Sequence, residues 1–155
     1  MLAALAACVA GPSDAGAVPA RAILADLHCG ADAPGVRRIA DAAQWQALRR
    51  PFARRRPGPS APEPAAPDFS RESVFVIDMG RRASLGYSVS LAGREARLKD
   101  GRLEIRVAWE EPAAGMLQAQ MVTSPCLVVG IPAGIHAEVV VLDAQGQERA
   151  REHRR

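Results

Sequence analysis

Residues 68–89 read DFSRESVFVIDMGRRASLGYSV, and the change of pattern inside this stretch decides the fold class. Residues 73–79 form a candidate strand whose apolar run, Val74, Phe75, Val76 and Ile77, is interrupted by Asp78 and stopped by Gly80. Arg81 and Arg82 then lead through Ser84, Leu85 and Gly86 to Tyr87. From there Tyr87, Val89 and Leu91 alternate with Ser88 and Ser90, the period of a sheet with one buried face. The loop between the two strands carries two arginines and the chain's single tyrosine, and loops held on a rigid sheet are where recognition residues usually sit.

Downstream, the strand pattern continues. Leu103, Ile105, Val107 and Trp109 alternate with Glu104, Arg106 and Ala108, and Lys99, Asp100 and Gly101 supply an Asp-Gly hairpin turn before them. Residues 116–122 and 127–131 are two short apolar segments around a Ser124-Pro125 break, and residues 137–142 are a Val-rich final strand closed by a turn at 143–146. Six to seven short strands with a turn signal every ten or so residues predict a mainly β domain, a small β-sandwich or open barrel. At 155 residues the chain suits one domain with extensions.

Upstream, Ile23, Leu24 and Leu27 suggest an early strand, and residues 30–35 read as a turn. Asp41 is a good N-cap for one short helix to about Arg50, with Trp45 and Leu48 on one face and Pro51 ending it. Residues 53–67 hold five prolines in fifteen residues and read as a linker or exposed loop. The expected organisation is a signal and tether over 1–20, the N-terminal strand and helix over 21–52, the Pro-rich segment over 53–67, the β domain over 68–146 and a charged tail over 147–155.

Charge and cysteines narrow the function. The net charge is a modest +3 with Lys99 the only lysine; an arginine bias of this kind reports a GC-rich genome more often than a nucleic-acid partner, since phosphate binding would need clustering on one face, so no nucleic-acid partner is expected. The densest positive cluster, Arg49, Arg50 and Arg54 to Arg56, reads either as a patch for anionic partners or as a solvated loop. Leu5, Ala6, Ala7 and Cys8 have the form of a bacterial lipobox, which makes Cys8 the candidate lipidation site and places the protein in the periplasm or cell envelope, anchored to a membrane. The seven residues before Cys8 carry no Lys or Arg, so an ordinary apolar N-terminus is the alternative. With Cys8 acylated, Cys29 and Cys126 remain, either bridged, as an oxidising compartment invites, or as two buried thiols.

Catalytic chemistry finds no support. His28, His136 and His153 lack partners at a useful spacing, the serines lack a nucleophile-elbow context, and Glu110 and Glu111 are neighbours on an alternating strand and so point to opposite faces. Paired Cys/His spacing for a metal and a Gly-rich phosphate loop are both missing, so no cofactor is expected. Two loops hold the candidate binding residues: Arg81, Arg82, Ser84, Gly86 and Tyr87 in one, and Thr123 and Ser124, exposed by the Pro125 interruption, in the other. Tyr87 reads equally as a core aromatic and Pro125 as an edge-strand stop.

The segment around DFSRE, the apolar strand, Met79-Gly80 and Gly86-Tyr87-Ser88-Val89 resembles the C-terminal domain of the protease complex subunit PrcB family. Thr123, Ser124 and Pro125 match that family's Thr-Ser-Pro element, and IADAAQWQAL, residues 39–48, resembles its helical lead-in, so the resemblance runs over roughly 39–142. The turn departs from it: Ala83, Ser84 and Leu85 stand before Gly86-Tyr87 where the family has a Pro-Thr-Gly-like lead. The resemblance implies a non-enzymatic accessory or binding subunit whose partner is a protease or envelope complex. An alternative is an inhibitor similar to the chagasin-like proteins, which present a Gly-Tyr loop from a β-sandwich, although their Asn-Pro-Thr-Thr lead is missing here.

Overall fold

The computed structural model describes residues 16–53, 64–135 and 137–152. Ten strands and one helix follow in the order β1 (Gly16–Pro19), β2 (Arg21–Asp26), β3 (Pro34–Ile39), α1 (Ala42–Ala53), β4 (Glu72–Met79), β5 (Ser88–Leu91), β6 (Glu95–Lys99), β7 (Arg102–Glu110), β8 (Cys126–Pro132), β9 (Glu138–Leu142) and β10 (Glu148–Arg151). They make a β-sandwich of two sheets. One has the order β2-β8-β4-β3; the other runs β1-β6-β7-β9-β10, with β5 also on β7. β5 and β6 pair with successive parts of β7, so they act as two halves of one strand interrupted at Ala92–Arg94.

The continuous apolar run of β4 now has a cause. Phe75, Ile77 and Met79 face the other sheet and meet Leu103, Ile105, Val107, Val139 and Val141, while Leu127, Val129 and Ile131 of β8 extend the same layer. Val74 and Val76 face the opposite way, where Trp45 and Leu48 of α1 cover them together with Val128. β4 is therefore buried on both faces, which removes the alternation that a half-exposed strand would show. Trp45 is fully buried, and burying a side chain of that size contributes roughly 1.5–3 kcal/mol or more.

α1 begins as its sequence requires. The Asp41 carboxylate accepts the Gln44 amide at 2.8 Å, and the Gln44 side chain accepts the Ala40 amide at 3.0 Å, a reciprocal cap. Pro51 does not end the helix as expected. It lies inside the last turn, where a missing amide forfeits only one bond before the helix stops at Ala53. The hairpin expected at Lys99–Gly101 is present, with Asp100 and Gly101 both at positive φ, 50° and 73°.

Other expectations need correcting. Among the described residues ten strands form, where six or seven were expected, within the expected β-sandwich. β1 arises within the expected tether, β3 begins inside the expected turn, and β10 lies in the expected charged tail, where Ala150 is buried and Arg151 donates to Glu138 at 2.7 Å. These short edge strands owe their place to the pairing partners β6, β4 and β9 more than to their own apolar content. Residues 116–122, expected as a strand, form none, and Met116, Leu117, Met121 and Val122 are all exposed. Cys8, Arg54 to Arg56, His136 and His153 lie outside the described residues.

Candidate recognition site

At the end of the sandwich where β4 stops and β8 starts, three loops meet. Gly80 makes the first turn at φ 78°, so close to β3 that an added Cβ would lie 2.7 Å from the Ala33 carbonyl carbon and 2.8 Å from the Pro34 nitrogen. Only glycine fits that position. Arg81 follows, its amide donating to the Asp32 carbonyl at 3.1 Å. Arg82 then pairs antiparallel with Thr123: the Arg82 amide donates to the Thr123 carbonyl at 2.8 Å and the Thr123 amide returns to the Arg82 carbonyl at 2.9 Å.

The loop 81–87 and the loop 123–125 are thus one unit. The Thr123 hydroxyl donates to the Ser84 carbonyl at 3.4 Å. The Arg82 guanidinium lies 4.9 Å from the centre of the Tyr87 ring, and the Arg82 Nε is buried with no hydrogen-bond partner. Tyr87 is half-buried and packs against the core between the sheets. Gly86, at φ 93°, sits against Pro112 and Gln118, where a Cβ would come within 2.9 Å of both side chains, and the Leu85 amide donates to the Ala119 carbonyl at 3.0 Å. These contacts tie the Gly-Tyr turn to the loop between β7 and β8.

The third loop, residues 27–30, is held by Ser124. The Ser124 amide donates to the Leu27 carbonyl at 2.7 Å, the Cys29 amide to the Ser124 carbonyl at 3.0 Å, and the Gly30 amide to the Ser124 hydroxyl at 2.7 Å. Cys29 and Cys126 form a disulfide beside these bonds, with Cα atoms 5.9 Å apart. Between the loops lies an open cleft of about 260 Å³ lined by residues that include His28, Asp32, Arg81, Val122 and Ser124.

All seven candidate binding residues therefore gather at one end of the sandwich. Their roles differ. Thr123 and Ser124, expected to be exposed, are buried, because their backbone and hydroxyl groups serve to join the loops. Arg81 is exposed at the cleft, whereas Arg82 and Tyr87 cover one another.

Sequence reasoning did not single out the exposed apolar side chains. The large hydrophobics exposed among the described residues are Leu27, Met116, Leu117, Met121 and Val122, all on or next to these loops, with Leu117 fully exposed. Their exposure was hidden because an apolar run in sequence signals burial in a sheet as readily as a surface segment. Asp78 is the second omission. It is 3 % exposed at the end of β4, directly opposite Cys126, and receives an Arg37 Nε–H contact at 3.3 Å. Burial pushes its carboxyl above the usual range, against the pull of the Arg37 charge and hydrogen bond.

Cys29, Asp78 and Cys126 bring three potential metal-ligating atoms within 4.8 Å of one another, but the two sulfurs are bonded to each other, which leaves one carboxylate as ligand. On the far sheet, Asp143 is buried too. Burial acts to raise its pKa, yet hydrogen bonds from the Gln147 and Gln145 amides and from Arg149 at 2.8 Å outweigh it and hold the carboxyl below the usual range.

Residues 73–132, from the second residue of β4 to the last of β8, match the family model described as PrcB C-terminal. The match contains the loops 81–87 and 123–125 in full and stops short of the helical lead-in and of β9. Neither a curated protein nor a solved structure matches the chain.

Proposed function

We propose that this chain, which resembles the PrcB family over residues 73–132, is a non-catalytic accessory subunit of a protease complex, held at the bacterial cell envelope by a lipid on Cys8. The observation that carries the binding role is that the large hydrophobics exposed among the described residues, Leu27, Met116, Leu117, Met121 and Val122, all lie on the 27–30 loop or the β7–β8 loop, two of the segments that meet at the Arg81 cleft, which Val122 itself lines. Large apolar side chains left exposed on loops at one end of a domain mark a candidate interaction site, and Met and Arg are enriched at interfaces. The partner class comes from the family resemblance.

The same geometry favours an accessory role over an inhibitor similar to the chagasin-like proteins. An inhibitory Gly-Tyr turn must project into a protease cleft. Here Gly86, though exposed, is pinned against Pro112 and Gln118, and Tyr87 is half-buried beneath Arg82.

Affinity capture from an envelope extract, with the exported protein as bait, tests this reading. Capture of a protease that still turns over substrate, lost when Leu117 and Met121 are both replaced by Ser, is the expected result. Capture with lost turnover would favour inhibition, and capture indifferent to both substitutions would move the interface elsewhere.

A further inference from the structure

The helix-covered face of the four-stranded sheet ends in a polar row. Asp26 of β2, Cys126 of β8 and Asp78 of β4 are register partners across three neighbouring strands, so their side chains emerge on the same face. Cys126 is buried, 1 % exposed, whereas its disulfide partner Cys29 is partly exposed at the surface loop. Asp78 reaches within 4.8 Å of both sulfurs, and its Oδ1 is buried without a hydrogen-bond partner. Buried polar atoms in native proteins are almost always paired, so an unpaired carboxyl oxygen against a disulfide calls for an explanation.

We propose that Cys29–Cys126 is a thiol–disulfide exchange site, attacked at Cys29 by a dithiol reductant, in which Asp78 donates the proton that the buried Cys126 sulfur takes up. The asymmetry of exposure sets the order of events. A thiolate of the dithiol attacks Cys29 Sγ and forms a new S–S bond there; the Cys29–Cys126 bond breaks and its electron pair leaves on Cys126 Sγ. A thiolate at that depth is costly to leave charged. The protonated Asp78 carboxyl passes its proton to Cys126, becomes a carboxylate and is then held by the Arg37 guanidinium. The second thiol of the reductant loses its proton to water and attacks its own sulfur in the mixed disulfide. Cys29 leaves as a thiolate into solvent and is protonated there, while Asp78 regains a proton from water. The dithiol is oxidised by two electrons and the protein gains two thiols.

The surroundings support a reversible site. Asp78 is faced by Arg37 of β3 and Cys126 of β8, with Asp26 one strand further and His28 on the loop above. Burial keeps the Asp78 carboxyl protonated to a higher pH than an exposed aspartate, as a proton donor requires. The hydrogen bond from Ser124 to Leu27 and those from Cys29 and Gly30 to Ser124 do not depend on the S–S bond, so after reduction they keep the two sulfurs near one another for reoxidation. The chemistry requires no protease partner, so it stands apart from the accessory role.

The test is the rate of reduction of the purified exported protein by dithiothreitol between about pH 5 and pH 9, read by alkylation and mass spectrometry and corrected for the reductant's thiolate fraction. Asp78→Asn keeps the shape and loses the acid. It should slow the corrected rate by about tenfold or more at the acidic end, the low side of what a positioned proton donor contributes, with little effect in alkali. A rate within twofold of wild type overturns the proposal. Should Asp78→Asn fail to fold, the wild-type profile decides: the corrected rate must fall as pH rises and Asp78 ionises, and a flat profile overturns it. Trapping with the monothiol glutathione should place the adduct on Cys29; an adduct on Cys126 refutes the stated direction of attack.

Discussion

Replacing Gly80 by Ala separates two costs that the structure combines at one residue. Gly80 has φ 78°, a left-handed conformation that costs an L-residue roughly 1–2 kcal/mol. Its new Cβ would also stand 2.7 Å, 2.8 Å and 2.9 Å from the Ala33 carbonyl carbon, the Pro34 nitrogen and Pro34 Cδ. Comfortable carbon contacts lie near about 3.5–4.0 Å, so the start of β3 must retreat by roughly 0.7–1 Å from the end of β4. Backbone gives less readily than a flexible side chain, and overpacking of this kind costs about 1–3 kcal/mol. The expected total is about 2–5 kcal/mol, or a fall in Tm of roughly 4–20 °C for a domain of this size.

Gly134→Ala is the internal control. Gly134 has φ 86° with nothing within 4 Å of the new Cβ, so it should lose only the backbone part, about 1–2 kcal/mol. Urea denaturation of the three proteins measures the difference, with equal m-values showing that the unfolded states are comparable. Hydrogen exchange at the Arg81 amide, bonded to the Asp32 carbonyl, should accelerate in Gly80→Ala alone. Equal losses at Gly80 and Gly134, or an unchanged Arg81 amide, would refute the close approach of β3 and with it the reason this loop leaves the sheet where it does.

Three further outcomes are expected. Tyr87→Ala should cost about 2–3 kcal/mol in thermal melts, less than a fully buried aromatic, and leave the affinity of the folded fraction unchanged within about twofold, because the ring supports the loop from beneath Arg82; an affinity loss greater than the stability loss would make it a contact residue. Asp143→Asn should destabilise the protein at neutral pH, with the difference shrinking in acid: the folded carboxyl titrates below its unfolded range, so its contribution is present above the unfolded pKa and disappears as pH falls through the folded one. A gap between the two melting curves that is constant from neutral to strongly acid pH would contradict this. Metabolic labelling with palmitate should mark the protein in its native host, and Cys8→Ser should abolish the label; a label that survives points to another attachment site.

The parts of the fold that were legible from sequence are those whose residues carry their own signal. β7 alternates over nine residues, Asp100-Gly101 dictates the turn before it, and Asp41 and Gln44 cap α1 locally. β1, β3 and β10 carry little such signal. In β10 only Ala150 is buried, and its arginines are satisfied by carboxylates, Arg151 by Glu138 and Glu148 and Arg149 by Asp143, so the sequence ERAR looks like a solvated tail until β9 supplies the pairing. The two candidate loops were legible as loops, but how they join was not. Thr123 meets Arg82 through backbone atoms that every residue possesses, so nothing in the side-chain pattern could indicate that these two would become neighbours. Asp78 was visible as an acid interrupting an apolar strand, but its meaning depends on Cys126, which register alone brings beside it.

The loop between β7 and β8 raises the question of why four large apolar side chains stay in water when a core lies beneath them. The pins on either side answer it. Leu85 to Ala119 by a backbone bond, Gly86 against Pro112 and Gln118, and Thr123 locked to Arg82 together fix the loop's path across the end of the sandwich. Folding Leu117 inward would require that path to change. Leaving it exposed forgoes roughly 1.5–3 kcal/mol that a partner can recover by covering it. Because the loop is already tied down by its own hydrogen bonds, little of that recovery would be lost to ordering if a partner covered it, as the proposed binding role requires.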